Sequence, residues 1–114
     1  MLELIAARDC KTSRKVVQLL EERGVRYRYR DYRKQALAED EIRDVLRRLR
    51  VPARDMLRSR SKEYATLGLT GRESDEVLVP LLAKHPRLLR RPIAILGEGA
   101  VLARPPERLL ILLG

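Results

Sequence analysis

Apolar residues fall into different rhythms along this chain. Leu2, Leu4, Ile5 and Ala6, interrupted only by Glu3, read as a short buried strand. A polar stretch without periodicity follows, Ala7-Arg8-Asp9-Cys10-Lys11-Thr12-Ser13. From about Thr12 or Ser13 the spacing turns helical: Val16, Val17, Leu19 and Leu20 form an apolar stripe, Glu21 and Glu22 are solvated, and Gly24 is a suitable stop. Val25 to Tyr32 then alternates strictly, tyrosines against arginines, which is the period-2 signature of a half-buried strand. Strand, helix and strand in so short a span predict a right-handed parallel unit.

The middle of the chain keeps a helical period. Ile42, Val45, Leu46 and Leu49 share one face of a helix predicted over 39–50, opposite Arg43, Arg47, Arg48 and Arg50, with Pro52 as its terminator. A short turn is expected at 54–57 and a polar link at 58–61. A helix from Lys62 to Leu67, stopped by Gly68, comes next. Ser74-Asp75-Glu76 reads as an N-cap with an acidic first turn, opening a helix bent at Pro80 and finished by His85-Pro86. The last third is a hairpin, with strands at 92–96 and 100–103 around Gly97-Glu98-Gly99. Pro105 and Pro106 then open an amphipathic helix carrying Leu109, Leu110, Leu112 and Leu113. The order β-α-β, helices, β-β-α, without repeat or linker, predicts one α/β domain over 1–114. Its expected architecture is a four-stranded mixed sheet with a helical insertion at about 37–84.

Composition changes the functional picture more than the structural one. Hydrophobic residues make up 45% of the 114 but aromatics only 4%, so the 21 leucines must fill most of the core. No apolar run is long enough to span a bilayer, and the N-terminus lacks the layout of a signal peptide. A cytoplasmic protein without membrane contact is the expectation. Of 25 cations 20 are arginine, against 16 acidic residues, giving a net charge of +9. Such a surplus suits nucleic acid, but arginine is equally the planar donor for small oxyanions. Tyr27, Tyr29 and Tyr32 interleaved with arginines would fit a single strand. A strand turning tyrosines to one side and arginines to solvent explains them as well, and no direct nucleic-acid contact is expected.

The single cysteine, Cys10, excludes an intramolecular disulfide and a four-cysteine zinc site. No metal and no bound cofactor are expected. Any redox step at Cys10 must draw its second thiol from another molecule. A cysteine between a first strand and the helix it feeds meets that helix's free N–H groups and positive dipole end. Such placement lowers a thiol pKa from about 8.5 into the range of roughly 3.5 to 7.5. Lys11 and Arg14 add positive charge, Asp9 opposes it, and the polar neighbours argue against an inert core residue.

Cys10-Lys11-Thr12-Ser13-Arg14 resembles the Cys-x-x-Ser-Arg motif of glutaredoxin-dependent arsenate reductases, the ArsC/Spx family, whose fold is thioredoxin-like with a helical insertion. The likeness continues in Tyr64-x-x-Leu67-Gly68-Leu69, in His85-Pro86-x-Leu88-Leu89-x-Arg91-Pro92-Ile93 and in Arg104-Pro105, and spans essentially the whole chain. It implies an arsenate reductase-like thiol oxidoreductase with Cys10 as nucleophile. Arg58 after Met56-Leu57, Arg91 before Pro92 and Arg104 before Pro105 would hold the oxyanion, Thr12 and Ser13 would line it, and Arg14 would help to acidify the thiol. Pro92 resembles the cis-proline that faces the cysteine and exposes backbone groups to an incoming thiol or peptide. The implied substrate is a small oxyanion or a mixed disulfide. Glutathione or another external thiol is the implied co-substrate, and a glutaredoxin- or thioredoxin-type protein the reductant. Ala6-Ala7-Arg8 stands where those reductases carry His-Asn-Pro, so this loop holds a cation that cannot serve as a base. Ser59-Arg60-Ser61-Lys62 and Leu88-Leu89-Arg90-Arg91-Pro92-Ile93 are also similar to the Spx regulators, which bind the RNA polymerase α subunit. That alternative lacks its redox switch here, because Ser13 occupies the place of the second cysteine.

Overall fold

In a chain with this few aromatics, aliphatic side chains make up most of the core. The structure, a computed structural model, describes residues 1–114. It contains two compact units: Met1–Gln35 with Arg91–Gly114, and Ala36–Arg90.

The first unit is built on a mixed sheet of four strands, β1 (Leu2–Ala6), β2 (Tyr27–Asp31), β3 (Ile93–Leu96) and β4 (Gly99–Leu102), in the spatial order β2-β1-β3-β4. β1 runs parallel to β2, with Leu4 opposite Tyr29, and antiparallel to β3, with Leu4 opposite Ala94. β3 and β4 are antiparallel, Ala94 lying opposite Val101. Helix α1 (Lys11–Glu22) crosses between β1 and β2 and buries Val16 and Leu20 completely. These two join Leu2, Leu4, Ala6, Ala94, Val101, Ala103 and Leu109 in one apolar cluster. The period-3.6 stripe of α1 and the period-2 face of β1 thus meet, which is the arrangement that buries both.

Several boundaries differ from those predicted. β2 starts at Tyr27 rather than Val25, because the Gly24 and Val25 N–H groups donate to Glu21 and Leu20 carbonyls and close the end of α1. The hairpin turn consists of Gly97 and Glu98 alone: Leu96 pairs with Gly99, and Gly97 supplies a positive φ of 59°. The C-terminal element begins as a 3-10 turn, Pro106–Leu109, before the single α-turn α5 (Leu110–Leu113). Two successive prolines supply no N–H, and the first bond available is the i to i+3 bond from Arg108 N–H to the Pro105 carbonyl, 3.0 Å.

The second unit is helical, with α2 (Glu39–Leu49), α3 (Lys62–Thr66) and α4 (Asp75–Lys84) joined by short turns. α2 carries Glu39, Asp40 and Glu41 in its first turn and Arg47 and Arg48 in its last, both favourable to the helix dipole. It ends at Arg50, in the left-handed conformation at φ 60°, two residues before the proline expected to stop it. The physical reason is that Pro52 disfavours helical geometry at Val51. α4 runs through Pro80 to Lys84, and Ser74 occupies its N-cap without a side-chain cap bond. Asp75 instead reaches back to accept the Ala53 N–H at 2.9 Å. Ile42, Val45 and Leu46 of α2 and Leu78, Val79 and Leu82 of α4 are the buried residues of the helix pair. An isolated antiparallel bridge, Leu57 to Leu89, ties the two ends of this unit, flanked by bonds from Arg58 N–H to Leu88 and from Arg90 N–H to Met56. No helix is long and apolar enough to cross a membrane.

Candidate active site

β1 delivers the chain to the start of α1 through the loop Ala7 to Cys10. The Cys10 N–H closes that loop on the Ala7 carbonyl at 3.0 Å, and the Cys10 carbonyl accepts the Arg14 N–H at 3.1 Å as the first helical bond. Cys10 is therefore the N-cap residue of α1, and the residue is 8% exposed. Ser13, one turn in, is 1% exposed and accepts the Ala7 N–H through its hydroxyl at 3.4 Å. Its hydroxyl and N–H favour the thiolate form of Cys10.

Two arginines reach the same sulfur from the loops that flank β3 and β4. The Arg104 guanidinium lies 3.8 Å from Cys10 Sγ, and its position is fixed by a second bond, 3.0 Å, to the Arg91 carbonyl. The Arg91 guanidinium is half-buried, favours the thiolate form of Cys10 by its charge, and donates through Nη1 to the Tyr32 hydroxyl at 2.8 Å. The Arg91–Pro92 peptide is cis, as the resemblance implies, and so is Arg104–Pro105. The Pro92 carbonyl is occupied by the Ala103 N–H at 2.9 Å.

Burial by itself pushes the Cys10 thiol up. The Ser13 hydroxyl and N–H and the Arg91 guanidinium outweigh it and lower the pKa from an ordinary 9.0 to about 7. The cations nearest in sequence are not the ones that do this. Arg14 turns its guanidinium onto the Arg8 carbonyl at 3.0 Å. Asp9, the anion expected to oppose the thiolate, is drawn aside by Arg33 at 2.8 Å, and Arg33 is also paired with Asp31. Thr12 is the second residue of α1 and half-exposed.

The structure thus brings Cys10, Ser13, Arg91 and Arg104 together within the first unit. Arg58 belongs to the second, where its N–H donates to Leu88 at 2.8 Å and its guanidinium to the Arg87 carbonyl at 3.0 Å. Tyr32 is the residue that the sequence reading placed in a strand and left without a role. It is 1% exposed and holds Arg91. One signal pointed to it: it lies just beyond the carboxyl end of β2, where sheets of this kind gather ligand-binding groups. No group of His, Cys, Asp and Glu able to hold a metal ion occurs.

Comparison with known proteins turns on this same stretch of chain, for the ArsC family model matches residues 6–112, from the end of β1 to α5. The chain belongs to the ArsC family. An arsenate reductase of Neisseria meningitidis serogroup A is 34% identical over 102 residues, covering 88% of this chain and 87% of the relative. A Haemophilus influenzae arsenate reductase is 30% identical over 106 residues, covering 91% of each. Among solved structures, the arsenate reductase from Vibrio cholerae superposes with a TM-score of 0.91 at 28% identity, covering 96% of this chain and 95% of that one. The fold is the thioredoxin-like one of these reductases, and this ArsC-family chain is a thiol oxidoreductase.

Proposed function

We propose that Cys10 attacks a small oxyanion, arsenate foremost, and that external thiols supply the electrons. The observation that carries this reading is the placement of two guanidiniums, Arg91 and Arg104, on a single buried thiol at a helix N-terminus. A thiolate with a pKa of about 7 is half ionised at neutrality and ready to act as nucleophile.

In the first step the sulfur displaces one oxygen of arsenate, which leaves as water after protonation, and an S–As bond forms. A thiol such as glutathione then attacks the Cys10 sulfur. The new S–S bond forms as the S–As bond breaks, and its electron pair stays on arsenic, reducing As(V) to As(III). A glutaredoxin- or thioredoxin-type thiol exchanges with that mixed disulfide and returns Cys10 to the thiolate, so two thiols give two electrons and end as one disulfide. Arg91 and Arg104 neutralise the charge that builds on the oxyanion, and planar guanidiniums suit its paired oxygens. Arg58 as a third donor, Thr12 and Arg14 as helpers, and Pro92 as the docking point for the incoming thiol rest on the motifs that match the reductases. Ser13 acts on the thiol itself. A mixed disulfide would be handled by the last exchange alone.

The test is arsenate-dependent oxidation of NADPH in the presence of glutathione, glutaredoxin and glutathione reductase. Turnover that disappears in Cys10→Ser is the expected result. Absence of turnover, together with capture of the RNA polymerase α subunit by wild type and Cys10→Ser alike, would favour the regulator alternative.

A further inference from the structure

On the first unit lies a groove of about 320 Å³ lined by Arg8, Arg14, Val17, Gln18, Glu21 and Tyr29, two of which flank Cys10 in sequence. That volume is at the small end of ligand pockets and matches one amino-acid-sized head group. Its charges are left in an unusual state. Arg8 stacks its guanidinium over the Tyr29 ring, 4.6 Å from the centroid, and meets no carboxylate. The Arg14 guanidinium donates only to the Arg8 carbonyl. Asp9, the acid between them in sequence, is committed to Arg33. The Glu21 carboxylate accepts only the Tyr27 hydroxyl, at 3.2 Å, and has no cation. Two guanidiniums without anions and one carboxylate without a cation therefore face a common space.

The bland explanation is an exposed cation–π pair, worth about 0.5–1 kcal/mol, on an arginine-rich surface. It accounts for Arg8 and Tyr29 but not for the position. Arg8 and Arg14 bracket the nucleophile, two residues before it and one helical turn after it. Tyr29 is close enough to Cys10 to feel a thiolate there. A molecule whose sulfur reacts at Cys10 has to lay its remaining atoms somewhere next to that sulfur. The groove offers donors to a carboxylate, an acceptor to an ammonium, and an aromatic and aliphatic floor to the carbons between.

We propose that this groove is the subsite for the carboxylate-bearing, amino-acid-like half of the thiol co-substrate that exchanges at Cys10. The inference rests on Cys10 being the reactive thiol. Arg8 and Arg14 take the carboxylate, Glu21 takes the ammonium, and Tyr29 with Val17 packs the chain between them. The reaction it serves is one exchange: the Cys10 thiolate attacks a disulfide R–S–S–R, a Cys10–S–S–R bond forms, the old S–S bond breaks, and R–S⁻ leaves and takes a proton from water.

That exchange provides the test. The rate at which the full chain acquires the adduct, followed by mass spectrometry, is compared for glutathione disulfide and for neutral 2-hydroxyethyl disulfide. The charged reagent should react about tenfold faster at low salt, from charge-assisted contacts of this kind. Arg8→Gln should remove most of that preference and leave the neutral rate unchanged. Glu21→Gln should speed 3,3′-dithiodipropionate, which has carboxylates and no ammonium, but not glutathione disulfide. Arg60→Gln, a charge change in the second unit, should preserve the preference, separating the groove from the net charge of +9. Equal rates for the two disulfides in wild type, or a preference that survives Arg8→Gln, would overturn the proposal. Failure of all reagents, the neutral one included, would overturn the Cys10 reading and this inference with it, so the neutral reagent tells the two failures apart.

Discussion

The acidity of Cys10 can be carried from geometry to a rate. With a pKa of about 7 the thiol is about half ionised at pH 7, whereas at the ordinary 9.0 it would be ~1% ionised. Thiolate abundance therefore rises about fiftyfold. Nucleophilicity falls with basicity, and a Brønsted coefficient of about 0.4–0.5 takes back roughly six- to tenfold over two pKa units. The net gain at neutrality is about five- to eightfold. The assay is the initial rate of exchange with neutral 2,2′-dithiodipyridine between pH 5 and pH 10, against the same chain unfolded in urea. Burial of the sulfur scales every point of the folded profile alike, so the midpoint is the decisive quantity, and it should lie near 7. Ser13→Ala removes the hydroxyl that opposes burial and should move the midpoint upward. A consequence for stability follows from the same shift. Between pH 7 and 9 the unfolded chain holds the thiol proton and the folded chain does not, so stability rises with pH across that window and is lost as pH falls through 7. Two units correspond to at most about 2–3 kcal/mol. Cys10→Ser should abolish that slope in urea denaturation. A wild-type midpoint at 9 or above, or one that Ser13→Ala leaves in place, would refute the reasoning.

Tyr32→Phe deletes the hydroxyl that accepts from Arg91 while keeping the ring in its buried place. It should raise the Cys10 midpoint and lower kcat, while a Tyr32 that serves packing alone would leave the pH profile of wild type unchanged. Arg104→Ala should cost about 2.7–4 kcal/mol of transition-state stabilisation in kcat/KM for arsenate, as loss of one preorganised donor does, and Arg104→Lys should restore only part because a point charge lacks the forked contact. Leu20→Ala opens the cluster between α1 and the sheet at a side chain with no exposure, and urea denaturation should show a loss of about 2–5 kcal/mol.

How much of this was open to reading without coordinates depends on the range of the physics involved. Periodicity and local stop signals act within a turn or two. That is why β1, α1, α2 and the hairpin stand close to their predicted places, and why the errors lie at ends such as Val25, Arg50 and Gly99, where capping bonds and a following proline decide. The motif around Cys10 and the arginine-proline pairs likewise identify the family, because they are short strings of chain. The state of the thiol is another matter. The cations adjacent to it in sequence, Lys11 and Arg14, promised the acidity, and Arg91, 81 positions away, together with Ser13 supplies it. A side chain's direction depends on what packs against it. Arg14 turns to a carbonyl, Asp9 is captured by Arg33, and Tyr32 reaches across the sheet's end to hold Arg91. Charges act through space, and only the parallel pairing of β1 with β2 and the return of β3 beside β1 set the distances over which they do so.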